Sequence, residues 1–176
     1  MAANASLDDS KADRGSRQIL TFVLGAETYG LDILRVQEIR GWSTVTKLPY
    51  APAHVLGVLN LRGSIVPIVD LRMRFGLERA EYTAITVIIV VSVDSAAGRR
   101  EFGIVVDGVS DVVDVNPAEV KAAPDFGVRV ATDCIRGLVS VAQRMVVLLD
   151  IDRLIGIDGS EPPARSAQAS PAPAAA

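Results

Sequence analysis

One cysteine and one histidine are all the thiol and imidazole chemistry that these 176 residues hold. A lone Cys134 excludes an internal disulfide and reads as an inert buried thiol ahead of an apolar run. His54 and Cys134 stand 80 positions apart and do not supply the several ligands that a metal site needs. His54, in the loop Tyr50-Ala51-Pro52-Ala53-His54, has no evident partner to make it a base or to orient a nucleophile. No Gly-x-Ser-x-Gly elbow, phosphate-binding loop or dinucleotide fingerprint is present. Asp32 and Glu38 read as surface charges on neighbouring strands rather than as a working carboxylate pair. Neither an enzyme nor a bound cofactor is expected.

Positive charge and aromatic rings are also scarce. The net charge is −3 and aromatic residues make up 5% of the chain. Binding to nucleic acid needs a basic face to displace counterions, and single strands need stacking platforms, so that class is not expected. The small basic clusters Arg72/Arg74 and Arg99-Arg100 read as solvated surface. The longest strictly aliphatic run, Val87 to Val91, is far short of the ~20 residues of a membrane helix. Met1 to Ser16 shows no apolar secretion signal. A cytoplasmic protein without membrane insertion is expected.

What the chain has in abundance is β-branched residues, with 24 Val and 13 Ile. These favour a mainly β fold, because they suit a pleated, half-buried surface. Strands are expected over Arg17 to Leu24, Tyr29 to Ile33, Val36 to Trp42, Val55 to Leu61, Ile65 to Val69 and Ile85 to Val93. More follow over Glu101 to Val106, Val109 to Val115, Ile135 to Val141 and Met145 to Leu149. The strand from Ile85 is apolar on both faces, which predicts a central position. Asp70 and Asp150 can cap short helices that end at Gly76 and Gly156. Asn116 to Asp133 reads as an irregular surface connection. Residues 1–16 form a polar arm, 17–157 the folded unit, and 158–176 a Pro/Ala-rich tail too poor in apolar surface to fold alone.

The folded unit repeats itself. Gly57 to Gly76 aligns without a gap on Gly137 to Gly156, with Gly57/Gly137, Val66/Val146, Asp70/Asp150 and Gly76/Gly156 identical. A second block, offset by 73, sets Tyr29-Gly30-Leu31 against Phe102-Gly103-Ile104. It continues with Val36 against Val109, Glu38 against Asp111 and Ile39 against Val112. Two collinear blocks imply a structural duplication. Short strands, regular turns and two copies predict two small barrels.

Departures from the repeat point to function. Arg62, in the tight turn Arg62-Gly63-Ser64, faces Ala142. A residue needed only for folding should recur in both copies, so Arg62 is a candidate for binding, with five donors suited to carboxylates or carbonyls. Val36 and Glu38, with Val109 and Asp111 opposite, could line a seam between the barrels, apolar with an acidic rim. Such a seam suits a helix laid in a groove. Gly57 reads as a point of close backbone approach. Phe126, in Pro124-Asp125-Phe126-Gly127, is either tucked into the core or an interface anchor. A barrel holding a small apolar ligand is a weaker alternative, since the lumen of so small a barrel is filled by side chains.

At these residues the chain resembles the CheW family of bacterial chemotaxis adaptors. The carriers are Tyr29 to Gly41, Gly57-Val58-Leu59-Asn60-Leu61-Arg62-Gly63, Pro67-Ile68-Val69-Asp70-Leu71 and Gly103 to Val112. The resemblance covers roughly Arg17 to Ile155. It implies two five-stranded Src-homology-3-like β-barrels packed around a shared hydrophobic core, with short helices. It also implies a non-enzymatic scaffold that links the cytoplasmic tip of methyl-accepting chemotaxis proteins to the regulatory domain of the kinase CheA. By the same resemblance, the receptor tip is expected near Val36, Glu38, Gly57, Arg62 and Val112. The kinase, or other copies of the chain in array rings, is expected at barrel ends that include Lys121 and Phe126. With no ATP-binding segment before the domain and no receiver domain after it, a stand-alone adaptor is expected rather than CheA or CheV. It would be recruited to membrane-associated receptor clusters.

Overall fold

A computed structural model describes residues 15–78, 81–124 and 132–156. The expected arm lies outside these residues apart from Gly15 and Ser16, and so do the tail and Phe126. Ten strands and two short helices follow in order: β1 (Arg17–Leu24), β2 (Glu27–Asp32), β3 (Val36–Gly41), β4 (Val55–Leu61), β5 (Ser64–Asp70), α1 (Leu71–Arg74), β6 (Val87–Ser95), β7 (Gly98–Val106), β8 (Gly108–Val115), β9 (Ile135–Val141), β10 (Arg144–Leu149) and α2 (Ile151–Gly156). Among the described residues no helix is long and apolar enough to cross a membrane.

The strands form two five-stranded sheets, in the orders β8-β1-β2-β10-β9 and β3-β6-β7-β5-β4. Each closes on itself through chain that runs on from one edge strand to the other. In barrel 1, Lys121 and Leu138 exchange backbone hydrogen bonds of 2.8 and 2.7 Å. In barrel 2, Thr46 and Val58 do the same at 3.0 and 2.8 Å. Short edges closed in this way leave few backbone groups unpaired.

The duplication is written into the register. Gly30 of β2 pairs in parallel with Leu148 of β10, and its repeat counterpart Gly103 of β7 pairs in parallel with Ile68 of β5. The two copies, however, do not each build one barrel. Barrel 1 takes β1 and β2 from the first copy and β8, β9 and β10 from the second, while barrel 2 takes the remainder. The chain therefore crosses between barrels twice, at Ile33–Arg35 and at Asp107.

This exchange explains the two-faced apolar strand. Ile88 and Val90 of β6 point into barrel 2 with Leu61, Val66, Ile68 and Val105. Ile89, Val91 and Val93 point the other way, into a layer shared with Leu20, Phe22, Leu24 and Leu31 of barrel 1. The buried hydrophobic cluster inside barrel 1 is aliphatic, with Ile19, Val115, Val139, Val146 and Leu148. The strand starts later than its composition predicts, at Val87, and runs to Ser95, which shortens the hairpin turn to two residues. Ile85 is left 73% exposed.

Caps set several other ends. Asp32 accepts from Leu34 N at 2.9 Å, so β2 stops at Asp32 and Ile33–Arg35 turns as a 3-10 helix. Trp42 leaves β3 and stacks on Tyr82 at 4.0 Å. The buried Asp70 caps α1 through Arg72 N at 2.9 Å and also accepts from Tyr82 Oη at 2.8 Å. Its counterpart Asp150 accepts from Arg153 N at 3.1 Å. Gly76 takes the left-handed exit at φ 70°, whereas Gly156 stays within α2, which corrects the expected stop there. In the connection Asn116 to Asp133, whose residues 125–131 lie outside the described ones, 3-10 turns form at Pro117–Glu119 and at Thr132–Cys134.

Both crossovers are clamped by charge. Asp107 makes a bidentate pair with Arg72 of α1, both bonds 2.6 Å, and accepts from Gly25 N in barrel 1 at 2.7 Å. Arg72 is thus no solvated surface residue. Arg35 bonds Asp94 of barrel 2 at 2.7 Å and Asp152 of α2 at 2.6 Å. Asp152 is the repeat counterpart of Arg72, so the two clamps carry opposite polarity. The Arg72 hydrogen bond, set against partial burial, holds the Asp107 carboxyl below its ordinary range. A depressed folded pKa stabilises above the unfolded value and is lost as pH falls through the folded one. Asp107→Asn should therefore lower stability at pH 7 by about 1–3 kcal/mol, a deficit that shrinks below about pH 4. Urea denaturation at both pH values checks this, and equal stability at pH 7 would reject the clamp.

Candidate docking site

The edge strands β3 and β4 of barrel 2 are not neighbours in the sheet order. Their backbones meet only where the chain beyond β3 reaches Thr46 and Val58. Nearer the hairpin tip the gap is spanned by side chains. Arg62 Nη2 reaches Glu38 Oε2 at 3.0 Å, and Arg40 Nη1 stands 3.9 Å from Glu38 Oε1. Glu38 pairs with Val90, whose side chain points into the barrel, so the carboxylate sits at the barrel's mouth. The Arg62 side chain remains 84% exposed and keeps most of its donors toward solvent.

Arg62 and Gly63 both have positive φ, 51° and 87°, and Asn60 Oδ1 accepts from Gly63 N at 3.0 Å. Two left-handed residues match the right-handed twist of the flanking strands. The repeat counterparts Ala142 and Gln143 have φ of 48° and 63°. The turn geometry belongs to the fold, and the guanidinium is what one copy adds. In barrel 1, Asp111 replaces Glu38 and accepts instead from Val112 N at 2.8 Å.

Val36 and Ile39 are three residues apart, yet both pair with residues of the shared layer, Val91 and Ile89. A bulge at Gln37 makes this possible, because one extra residue restores the alternation to the same face. Barrel 1 repeats the device. Val109 and Val112 pair with Phe22 and Leu20, also of the shared layer, across a bulge in β8. Thr21 Oγ1 donates to Asp111 O at 2.8 Å and accepts from its N at 3.1 Å, filling that bulge. Ile39 and Val112 are 45% and 43% exposed, so each carries the shared apolar layer out to solvent. Ile39 was not among the residues singled out from sequence, although its place opposite Val112 in the repeat was a usable signal.

The remaining candidates fall elsewhere. Gly57 has φ 149°, and a side chain there would overlap the backbone of Thr46 at the closure of barrel 2. Gly137 does the same service in barrel 1, where an added Cβ would lie 2.8 Å from Lys121 O. The structure thus gives Gly57 a folding task. Lys121 is exposed, and its backbone closes barrel 1. Val112 belongs to barrel 1 and shares no hydrogen bond with the Glu38–Arg62 pair. Cys134 is buried, and burial pushes its thiol above the ordinary range, so it stays protonated at neutral pH. No group of three or more potential metal ligands occurs among the described residues.

Residues 18–158 match the CheW-like domain. The chain belongs to the CheW-like domain family. It is 43% identical over 155 residues to the chemotaxis protein CheW of Klebsiella aerogenes, covering 88% of this chain and 91% of that one. It is 40% identical over 138 residues to that of Rhizobium meliloti, covering 78% and 86%. The crystal structure of the scaffolding protein TtCheW from Thermoanaerobacter tengcongensis superposes with a TM-score of 0.75 at 28% identity, covering 84% of this chain and 97% of that one. The CheW-like fold accounts for the two five-stranded barrels, and membership makes the chain a non-enzymatic chemotaxis scaffolding protein.

The CheW-like architecture separates the two hairpin residues. Gly57→Ala should destabilise the protein by on the order of 2 kcal/mol or more, through backbone strain and overlap at the closure. Arg62→Ala should shift stability by no more than about 1 kcal/mol, as for an exposed ion pair. Denaturant midpoints would test both, and a large loss at Arg62 would assign it to the fold.

Proposed function

We propose that the chain couples methyl-accepting chemoreceptors to the histidine kinase CheA, at the cytoplasmic face of receptor clusters. The observation that carries this reading is the Glu38–Arg62 pair beside an apolar layer that surfaces at Val36 and Ile39. It occurs in a chain of the CheW-like family and in only one of two otherwise matching barrels. An exposed guanidinium held by one carboxylate can trade that partner for carboxylates or helix-end carbonyls of an incoming helix. The apolar shoulder of Val36 and Ile39, with Val112 on the other barrel, supplies contact area for the same helix. Gly57 supports this surface by keeping β4 closed against Thr46.

The kinase's regulatory domain, or further copies of the chain, would dock at the barrel ends, where Lys121 is exposed and Phe126 lies along the sequence. An acidic chain with few aromatic side chains supports a protein partner over nucleic acid.

Co-sedimentation with receptor-containing membranes, with and without CheA, tests the coupling. Wild type should bring CheA down with the membranes. Arg62→Glu should stay folded, because its side chain is exposed, but should cut recruitment at least about tenfold, since it sets two carboxylates against each other. Undiminished recruitment by the folded variant would remove Arg62 from the site. Failure of wild type to bind either partner would reject the coupling.

A further inference from the structure

The β6–β7 hairpin is longer than its repeat counterpart. Beyond Gly30, the β1–β2 ladder has three further pairs and ends at Leu24 and Glu27. Beyond Gly103, the β6–β7 ladder has five and ends at Ser95 and Gly98. The two extra pairs are Asp94 with Arg99 and Ser95 with Gly98, so Arg99 stands beyond the shorter hairpin's length, beside the start of β5. Beneath them lies an open cleft of about 490 Å³ lined by Gln37, Ser64, Ile65, Ser92, Arg99 and Arg100, among others.

The cleft is arranged to present positive charge. Arg99 donates its Nε to the hydroxyl of the buried Ser92, which fixes the guanidinium and leaves its terminal nitrogens free to donate. Arg100 lies over the ring of Phe102, 5.8 Å from its centroid. Among the described residues neither arginine has a carboxylate partner, in contrast to Arg35, Arg62 and Arg72. Ser64 and Gln37 add polar groups, and Ile65, 63% exposed, adds an apolar contact.

We propose that this cleft binds an acidic segment of a partner polypeptide, a carboxylate meeting Arg99 while a neighbouring apolar side chain rests on Ile65; Arg100, one residue on, leaves the other face of the strand toward Phe102. Planar guanidiniums without partners suit carboxylates. A single strand of nucleic acid fits less well, because no ring there is free for stacking. A small inorganic anion would leave most of the volume, and Ile65, unused. The site is separate from the Glu38–Arg62 pair and does not depend on the receptor reading.

The test uses the full chain with a short Glu-rich peptide carrying one Leu, followed by amide chemical shifts and by calorimetry. Shifts should map to Gln37, Ser64, Ile65, Ser92, Arg99 and Arg100, and binding should weaken with salt. Arg99→Glu should weaken it at least about tenfold, and Arg99→Gln should do so less strongly. Arg17→Glu with Arg136→Glu, on barrel 1, should leave it unchanged. Absence of site-specific shifts, or equal weakening by the barrel 1 variant, would overturn the proposal. So would equal affinity for the Gln-for-Glu peptide, for inorganic phosphate or for single-stranded DNA.

Discussion

Each barrel is assembled from strands of both copies of the repeat, and the apolar layer between the barrels is what makes that exchange stable. Ile89, Val91 and Val93 meet Leu20, Phe22 and Leu24 there. Neither copy can bury this layer alone, so the two barrels form one cooperative unit. The price of the arrangement is topological, because a chain with two similar halves could also pair each half with itself. The crossover charges oppose that outcome. In the observed fold Arg35 meets Asp152, and Asp107 meets Arg72. In self-paired halves each crossover would meet the helix of its own copy, bringing Arg35 toward Arg72 and Asp107 toward Asp152. Partly buried like charges at both crossovers would disfavour that fold. The two clamps are not copies of one another, since the offset of 73 aligns Arg35 with Gly108; each crossover is closed by its own pairing of opposite charges.

Much of this was legible in the sequence because valine-rich strands, glycine turns and aspartate caps act locally. β1, β4 and β9 have the bounds their composition predicts. The repeat set the pairing of Gly57 with Gly137 and of Asp70 with Asp150, and these hold to the level of single hydrogen bonds. The backbone N of Asp70 donates to His54 O and that of Asp150 to Cys134 O, both at 2.8 Å. His54 and Cys134 are thus repeat equivalents, placed there by the strand ends and not by reactive chemistry. What could not be read was which strands share a sheet. Periodicity reports that a strand is buried on two faces, but it does not name the neighbour on either face. Arg72 reads as solvated in the sequence for the same reason, since Asp107, 35 positions away, is brought to it only by the crossover.

The candidate site was partly legible, through what the two copies do not share. Arg62 stood out against Ala142, and the structure joins it to Glu38, a residue chosen on other grounds. Gly57 was chosen as a point of close approach, which is correct, but the approaching group is the chain's own Thr46 backbone. A glycine that admits a partner and a glycine that admits a neighbouring strand look alike in sequence, and only the three-dimensional neighbour tells them apart. Ile39 was missed because a simple two-residue alternation puts it on the opposite face from Val36. A bulge is invisible to that alternation, although the same spacing recurs at Val109 and Val112.

That bulge explains why one edge strand can serve several surfaces at once. With Gln37 as the extra residue, Val36 and Ile39 face the shared layer and Glu38 and Arg40 face the barrel's mouth. Gln37 itself lines the cleft under the longer hairpin. The counterpart strand β8 has the same backbone irregularity, but there Thr21 fills it and Asp111 turns to its own neighbour. The fold therefore supplies two equivalent positions where an edge strand distributes its side chains over three surfaces. Only the copy on β3 combines a charge at the barrel's mouth, a matching arginine across the gap and an overhanging basic hairpin. The backbone is shared and the side chains are not: Gly57, matched by Gly137, serves the closure that both barrels have, while Glu38, Arg62 and Arg99 set this copy apart.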